Sequence, residues 1–404
     1  MSAEHRFDYV IVGGGMSADA AAKGIRELDR DGTIAVLGEE PTPPFPRPAL
    51  SKKLWTDPDF GLDDAALATA DSTGASVRLD TAVEVLDAEA RTVTTAAGEQ
   101  YAYGRLLLAT GGRPRQVAGL EPGPRVLYYR TLTDYHRLRE LAASHPRVTV
   151  VGGGWIGTEI AAALVQNGCT VTLVHPDGVL GASFLAPTLA QRYEDLFRTH
   201  GVQLLPGRRA TGGRSEGDAV HVDLDDGTTL DSDVVVVGLG IEPAGELATA
   251  AGITTADDGS VIVDSHLATS APGVWAAGDV ATYPDRILGR TRVEHVDNAT
   301  TMGTVAGRVL AGSGESYDHT PYFYSEVFGT RFEAIGTLDP SAPLVEDHLN
   351  DERSVVYHLS QDGRKVVGVL LWQVEDGLDE ARTVLARQPV ATGAGLEDLV
   401  GRIG

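Results

Sequence analysis

The chain has 404 residues, 33 Lys and Arg against 57 Asp and Glu, a formal net charge of -24 and one cysteine. That length calls for two or three domains with real cores, and the acidic balance disfavours nucleic acid and anionic membrane surfaces as partners, reading first as plain solubility. The lone Cys169 excludes an internal disulfide and a dithiol redox centre and reads as a small buried filler. No run of about 18 apolar residues suggests a membrane span. The polar opening residues carry no signal-peptide pattern, so the expectation is a soluble, cytoplasmic protein.

The apolar run from Phe7 to Val12 reads as a buried strand. Gly13-Gly14-Gly15 follows as a glycine turn, then an Ala-rich helix from Ala20 to about Leu28. This is the context that a dinucleotide fingerprint requires. Gly13 makes the tight turn, and Gly15 lets backbone approach a pyrophosphate seated on the helix N-terminus. Ala18 stands where the third glycine often is, small enough for close helix–strand packing. A second strand, Thr33 to Leu37, leads to Glu39, an acid placed to hold a ribose hydroxyl.

The Pro-rich stretch Glu40–Trp55 forbids regular helix until about Leu50. Such a loop can aim Arg47 and Lys52 at an anion or a cofactor, or leave them as solvated surface cations. From about Val77 to Leu108 short strands alternate with turns, with a hairpin around Ala97-Gly98. Leu106-Leu107-Leu108 then reads as a buried strand ending in the turn Thr110-Gly111-Gly112. Pro114–Pro124 reads as a domain junction and Thr133 to about Ser144 as a helix.

Val148-Thr149-Val150-Val151-Gly152-Gly153-Gly154-Trp155-Ile156-Gly157 repeats the opening design with the full glycine pattern. Its helix runs to about Gln166. The following strand, Thr170–Val174, ends in His175-Pro176-Asp177. Asp177, with no Arg or Lys close behind it, favours the free 2′-hydroxyl of NAD over the phosphate of NADP; His175 is ambiguous. Two complete dinucleotide folds imply two dinucleotides, and a flavin with a nicotinamide is the natural pair because hydride passes between them. Two further apolar strands end in glycine, at Gly238-Leu239-Gly240 and at Gly278-Asp279. Asp279 there either faces a ligand at the sheet's carboxyl edge or caps the next helix. The remainder, from about Pro321, reads as an α+β region with a hairpin, Ser354–Leu359 and Lys365–Trp372, and a short helix from Asp379.

Together these segments resemble the pyridine nucleotide–flavin reductases with two dinucleotide-binding domains, in the branches of the ferredoxin or rubredoxin reductases and of apoptosis-inducing factor. Arg47–Trp55, Gly152–Glu159, Leu288–His295 and Phe323–Gly336 carry the likeness. It implies an α/β fold of two Rossmann-like (three-layer ββα) domains plus a C-terminal α+β domain. The FAD domain would span 1–118 and 245–320, the NAD domain 119–244 and the interface domain 321–404, this last covering the flavin and supporting a homodimer.

The resemblance further implies FAD contacts by Gly13, Gly15, Ser17, Ala18, Glu39, Arg47, Lys52, Val83, Thr110, Gly111, Arg130 and Asp279, with His295 and Tyr324 beside the ring system. NAD would meet Gly152, Gly154, Trp155, Ile156, Gly157, Asp177, Gly240, Glu294 and Glu333, with Trp155 gating the nicotinamide. Lys52 and Glu159 match the family's ion pair near the flavin. No metal site is assigned. Three positions depart from the family pattern: Tyr324 replaces a Trp, Gln373 follows Trp372 in place of Asn, and Ala244 stands in place of Asn. The implied activity is NADH-dependent reduction of FAD, with electrons passed to an unidentified acceptor. Its alternatives are a reductase delivering single electrons to an iron–sulfur protein and an NADH-sensing interaction protein with slow turnover.

Overall fold

The computed structural model describes residues 4–387 and 397–404; residues 1–3 and 388–396, at the ends of the expected first and third domains, lie outside the described residues. The chain forms two compact units. The first gathers the described residues up to Arg47 with Gly61–Arg113 and Ile241–Pro321, and the second gathers Pro48–Phe60, Pro114–Gly240 and the described residues from Tyr322 onward.

The first unit is built on a parallel sheet. Glu4–Val12 lies between Ile34–Leu37 and Gln100–Leu108, with Ser76–Arg78 outside the former and Val274–Ala276 beside the latter. Its middle strands are apolar on both faces and buried on both; Val10, Ile11, Leu106 and Leu107 are fully buried. The expected hairpin is present as Thr92–Thr95 against the start of Gln100–Leu108, extended by Val83–Asp87. The opening helix, Met16–Leu28, packs on Val296–Leu310. The two backbones approach where side chains vanish: a Cβ on Gly307 would sit 2.1 Å from the Ala21 carbonyl oxygen, and one on Gly303 2.6 Å from that of Ser17.

The second unit repeats the plan. Its parallel sheet runs Gln203–Pro206, Thr170–His175, Arg147–Val151, Val234–Val237 and Val126–Tyr128. The helix Trp155–Gln166 follows the glycine turn, and the expected helix near Thr133 spans Leu132–Ala142. The unforeseen elements include the helix Pro187–Thr199, the strands Val126–Tyr128 and Gln203–Pro206, and a three-stranded antiparallel sheet, Ala210–Glu216, Ala219–Leu224 and Thr229–Ser232. The expected C-terminal hairpin sits in a five-stranded antiparallel sheet with Tyr322–Val327, Thr330–Gly336 and Leu344–His348. Cys169 is buried as expected. Among the described residues no helix is long and apolar enough to cross a membrane.

Two buried histidines in the second unit make its stability depend on pH. His358 is fully buried; its Nδ1 accepts the Asp339 N–H at 3.1 Å, while its Nε2 has no hydrogen-bond partner among the described residues. Neither ring nitrogen of the buried His175 has one among the described residues. Burial lowers the pKa of both imidazoles. The unfolded histidine titrates near about 6.5, so below that pH the unfolded chain binds protons that the folded chain refuses. Stability is therefore fully present above about 6.5 and drains as the pH falls toward the folded values. The thermal midpoint should hold from about pH 8 to 7 and drop between about 6.5 and 5.5. His358→Gln should flatten part of that slope; an identical slope in the variant would refute this account.

Candidate functional site

Each unit carries one glycine-turned cradle. In the first, Gly13 has φ +119°, and a Cβ on it would sit 2.1 Å from the Ala109 carbonyl oxygen. Only glycine fits both that conformation and that space. Gly15 then begins Met16–Leu28 with no side-chain cap, which leaves the first-turn N–H groups for an anion. Ala18 is fully buried against the sheet, and Ser17 is buried. A Cβ on Gly278 would lie 2.2 Å from the Ser17 hydroxyl, so the Gly278–Val280 turn presses on the start of the opening helix. These features leave first-turn N–H groups beside a glycine turn, the chemistry that a diphosphate needs.

The other expected flavin contacts in this unit divide. Glu39 is exposed just past the second strand, at the distance limit of an ion pair with Arg113, 4.0 Å. Arg47 is held by Glu40 at 2.5 Å; the loop therefore fixes this cation with a neighbouring carboxylate. Val83 begins its strand, half-buried. Thr110 donates to the Ala244 carbonyl at 2.7 Å, and the Ala244 N–H donates to Gly111 at 2.9 Å. The turn is thus pinned by the backbone of Ala244, and a larger side chain there is not needed for it. Asp279 is half-buried inside the one-turn helix Gly278–Val280, not at a helix cap. The cap of Val296–Leu310 belongs to His295, whose ring nitrogen accepts the Asp297 N–H at 3.5 Å. Arg292 reaches three partners: Glu294 at 2.5 Å, Asp258 at 3.1 Å and the Asp279 carbonyl at 3.2 Å. Glu294 itself is exposed.

In the second unit Gly152 has φ +114°, and a Cβ on it would lie 2.3 Å from the Gly238 carbonyl oxygen. A Cβ on Gly157 would strike the Gly152 carbonyl oxygen at 1.9 Å. Gly154 opens Trp155–Gln166 without a side-chain cap, so a second pyrophosphate has its N–H groups. Ile156 stays 40% exposed beside the turn, and the Gly238–Gly240 loop adjoins it. Asp177 is half-buried at the end of its strand. Trp155 packs with Phe184 at 4.6 Å, Phe323 at 5.0 Å and Phe332 at 5.3 Å between ring centroids. The Arg130 N–H is held by Asp134 at 3.0 Å.

Four of the expected residues, Lys52, Glu159, Tyr324 and Glu333, meet three residues that sequence reasoning missed, Ser51, Ser325 and Arg331. Glu159, on the second turn of the cradle's helix, is 3% exposed. Its Oε1 takes Lys52 Nζ at 2.8 Å and the Ser325 hydroxyl at 2.7 Å, while its Oε2 takes the Ser51 hydroxyl at 2.5 Å. Lys52 Nζ also lies 5.1 Å from the centre of the Tyr324 ring, and the Arg331 guanidinium carbon 4.6 Å from it. Burial pushes the Tyr324 hydroxyl's pKa up. Arg331 pairs with Glu333 at 2.5 Å, and the Gln373 side chain accepts the Arg331 N–H at 2.9 Å. A cation over each of two approaches to one ring, each fixed by a carboxylate, is an arrangement that can favour negative charge on an adjacent group. Ser51, Ser325 and Arg331 gave no sequence signal of their own; only a strand register could have paired Ser325 with this helix.

The family described as "Pyridine nucleotide-disulphide oxidoreductase" matches residues 7–303, and the chain belongs to it. Monodehydroascorbate reductase 3 of Arabidopsis thaliana is 32% identical over 96% of this chain and 93% of its own length. A putative apoptosis-inducing factor 1 of Drosophila melanogaster is 27% identical over 93% of this chain and 63% of its own. The ferredoxin reductase for the CYP199A2 system of Rhodopseudomonas palustris superposes with a TM-score of 0.85 at 29% identity, covering 98% of this chain and 100% of that one. The chain is an FAD-dependent NAD(P)H oxidoreductase with the α/β fold of the ferredoxin reductases. The disulphide in the family's description has no counterpart here, since Cys169 is the sole cysteine of the sequence and is buried.

The Glu159 cluster predicts a measurable cost for losing one donor. Ser325→Ala leaves a buried carboxylate oxygen short of a hydrogen bond and should lower stability to urea by about 1–3 kcal/mol. Ser51→Ala should act alike on the other oxygen. A midpoint unmoved by both substitutions would contradict the cage.

Proposed function

We propose that this member of the family oxidises NADH and passes the electrons singly to a small iron–sulfur protein of the ferredoxin class. The end-to-end match to a ferredoxin reductase carries this reading; the lack of a second cysteine supports it, because two-electron transfer to a disulfide through a protein dithiol is closed. The likeness to monodehydroascorbate reductases favours a second reading, in which the acceptor is monodehydroascorbate. On either reading FAD supplies the hydride-accepting and electron-releasing chemistry, and the chain supplies binding, orientation and electrostatics.

The residues divide that labour. Gly13, Gly15, Ser17 and Ala18 would hold the FAD diphosphate, Glu39 its ribose and Asp279 its ribityl chain. Arg47, Val83, Thr110, Gly111, Arg130, His295 and Tyr324 complete that set, with Arg47 acting through its pair with Glu40. Gly152, Gly154, Ile156 and Gly157 would hold the NADH diphosphate, and Asp177 the adenosine ribose. Trp155, Gly240, Glu294 and Glu333 would meet the nicotinamide half; the ring contacts of Trp155 favour a fixed wall over a swinging gate. Lys52 would present a positive charge that Glu159 keeps in place. The domains that follow are 1–118 with 245–320 for FAD, 119–244 for NADH and 321–404 as an interface domain.

Lys52→Ala should slow NADH-dependent bleaching of the flavin absorbance by about tenfold or more, read by anaerobic stopped flow, with the far-UV spectrum unchanged. A wild-type rate would remove Lys52 from the reaction. Asp177→Ala should weaken NADH binding by about tenfold, the loss of one or two hydrogen bonds to ribose; equal affinity would sink that assignment. Oxidation of the reduced enzyme by ferredoxins and by monodehydroascorbate, side by side, separates the two acceptor readings. Failure with every ferredoxin tried and rapid turnover with monodehydroascorbate would replace the first reading with the second.

A further inference from the structure

The strand Thr170–His175 ends beside Gln203–Pro206, with His175 in register with Pro206. The chain leaving that neighbour is bound to the cradle's acid. The Gly207 N–H donates to the Asp177 carbonyl at 2.9 Å, and the Arg208 N–H to the His175 carbonyl at 3.0 Å. No cation follows Asp177 closely in sequence, yet the fold brings Arg208 to its side from the next strand. At this edge an acid takes a free ribose 2′-hydroxyl, and an arginine takes a 2′-phosphate through its planar fork of donors.

Arg208 is engaged elsewhere. Its Nε lies 2.8 Å from Asp226 Oδ2. Asp226 belongs to the turn between Ala219–Leu224 and Thr229–Ser232, the antiparallel sheet that sequence reading did not foresee. The other carboxylate oxygen accepts the Thr228 N–H at 3.0 Å and its hydroxyl at 2.6 Å. Next to it, the Asp225 N–H donates to the Arg209 carbonyl at 3.0 Å, so the turn is tied to the arginine pair through backbone as well. The Thr228 donors hold the Asp226 carboxyl below its ordinary range, and it stays ionised at neutral pH.

We propose that Asp226 is a specificity-determining residue: by engaging Arg208 it withholds that guanidinium from a 2′-phosphate, leaving Asp177 to select the unphosphorylated ribose of NADH. The inference rests on the reading that the second cradle holds the nicotinamide nucleotide. It assigns coenzyme choice to two layers, an acid at the strand end and a second acid that occupies the competing cation. The second layer explains how an arginine beside Asp177 is compatible with a preference for NADH.

The test is calorimetric titration of the flavin-loaded protein with NAD+ and, separately, NADP+, which needs no turnover. The wild type should bind NAD+ the more tightly. Asp226→Asn should bind NADP+ about tenfold more tightly than the wild type does, and Asp226→Ser, which keeps an oxygen for the Thr228 N–H, should do the same should the Asn variant fold poorly. Arg208→Gln added to either should abolish the gain. The gain should also shrink as salt rises from about 0.05 to 0.5 M, as a charge contact requires. NADP+ affinity unmoved in both variants, with NAD+ binding intact, would overturn the proposal and leave the nicotinamide reading standing. A wild type that binds neither nucleotide would overturn both.

Discussion

At two points in this chain a strand passes into a helix across a carbonyl group with no room for a side chain. The hypothetical Cβ of Gly13 falls 2.1 Å from the Ala109 oxygen, and that of Gly152 falls 2.3 Å from the Gly238 oxygen. Contact that close fixes where each helix begins relative to its sheet. The unpaired N–H groups of Met16–Leu28 and of Trp155–Gln166 are thereby set at the carboxyl edge of a parallel sheet, where open α/β folds bind ligands. The packing behind each turn obeys the same limit. In the first unit Gly303 and Gly307 let Val296–Leu310 lie on the opening helix; in the second Gly157 lets its helix lie on the turn itself. Loss of a glycine here would displace a helix, and with it the groups that an anion needs.

The second cradle's helix does a further job. Glu159 stands one turn past Trp155, so the helix whose first-turn N–H groups lack a side-chain cap also carries the carboxylate that holds Lys52. A carboxylate 3% exposed is costly to bury unless its oxygens are filled. Lys52 and Ser325 fill one and Ser51 the other, from the Pro-rich segment and from the antiparallel sheet. The ion pair adds little net stability for that outlay. What it secures is the position of the ammonium group, and position is what electrostatic catalysis requires.

The two cradles were legible because they are local. Strand, glycine turn and helix lie within about twenty residues, and each glycine's reason is steric. The place of Asp177, just past its strand, was legible on the same ground. Lys52 and Glu159 were not, since their sequence separation hides the pair; resemblance alone joined them. Ser51, Ser325 and Arg331 escaped altogether, because a serine among serines says nothing until a sheet brings it to a helix. The antiparallel sheet at Ala210–Ser232 escaped for a different reason. Ala210–Glu216 and Thr229–Ser232 hold too few apolar residues to show alternation, and the one strand that does alternate, Ala219–Leu224, is too short to announce a sheet alone. The same region hides the partner of Arg208, so reading cations forward from Asp177 missed it. Ala244 and Gln373 show the converse case: departures from the family pattern that here donate a backbone amide to Gly111 and accept the Arg331 N–H.

A chain of formal charge -24 has carboxylates to spare, and the site regions use them to aim cations. Lys52 is held by Glu159 and Arg331 by Glu333 in the second unit, as Arg47 is by Glu40 and Arg292 by Glu294 and Asp258 in the first. Partnering of this kind lowers the net field each cation projects but removes its freedom to wander. An unpaired lysine on a flexible stem would supply more charge and less direction, and it would pay rotamer entropy each time a ligand bound. With the entropy already spent in folding, a cation held this way would meet a ligand at a fixed distance. The same logic makes a paired arginine a poor ligand for anything else. An acid placed beside a cation can therefore either aim it at a ligand or keep it from one, and which of the two it does depends on whether the cation's remaining donors still face the ligand.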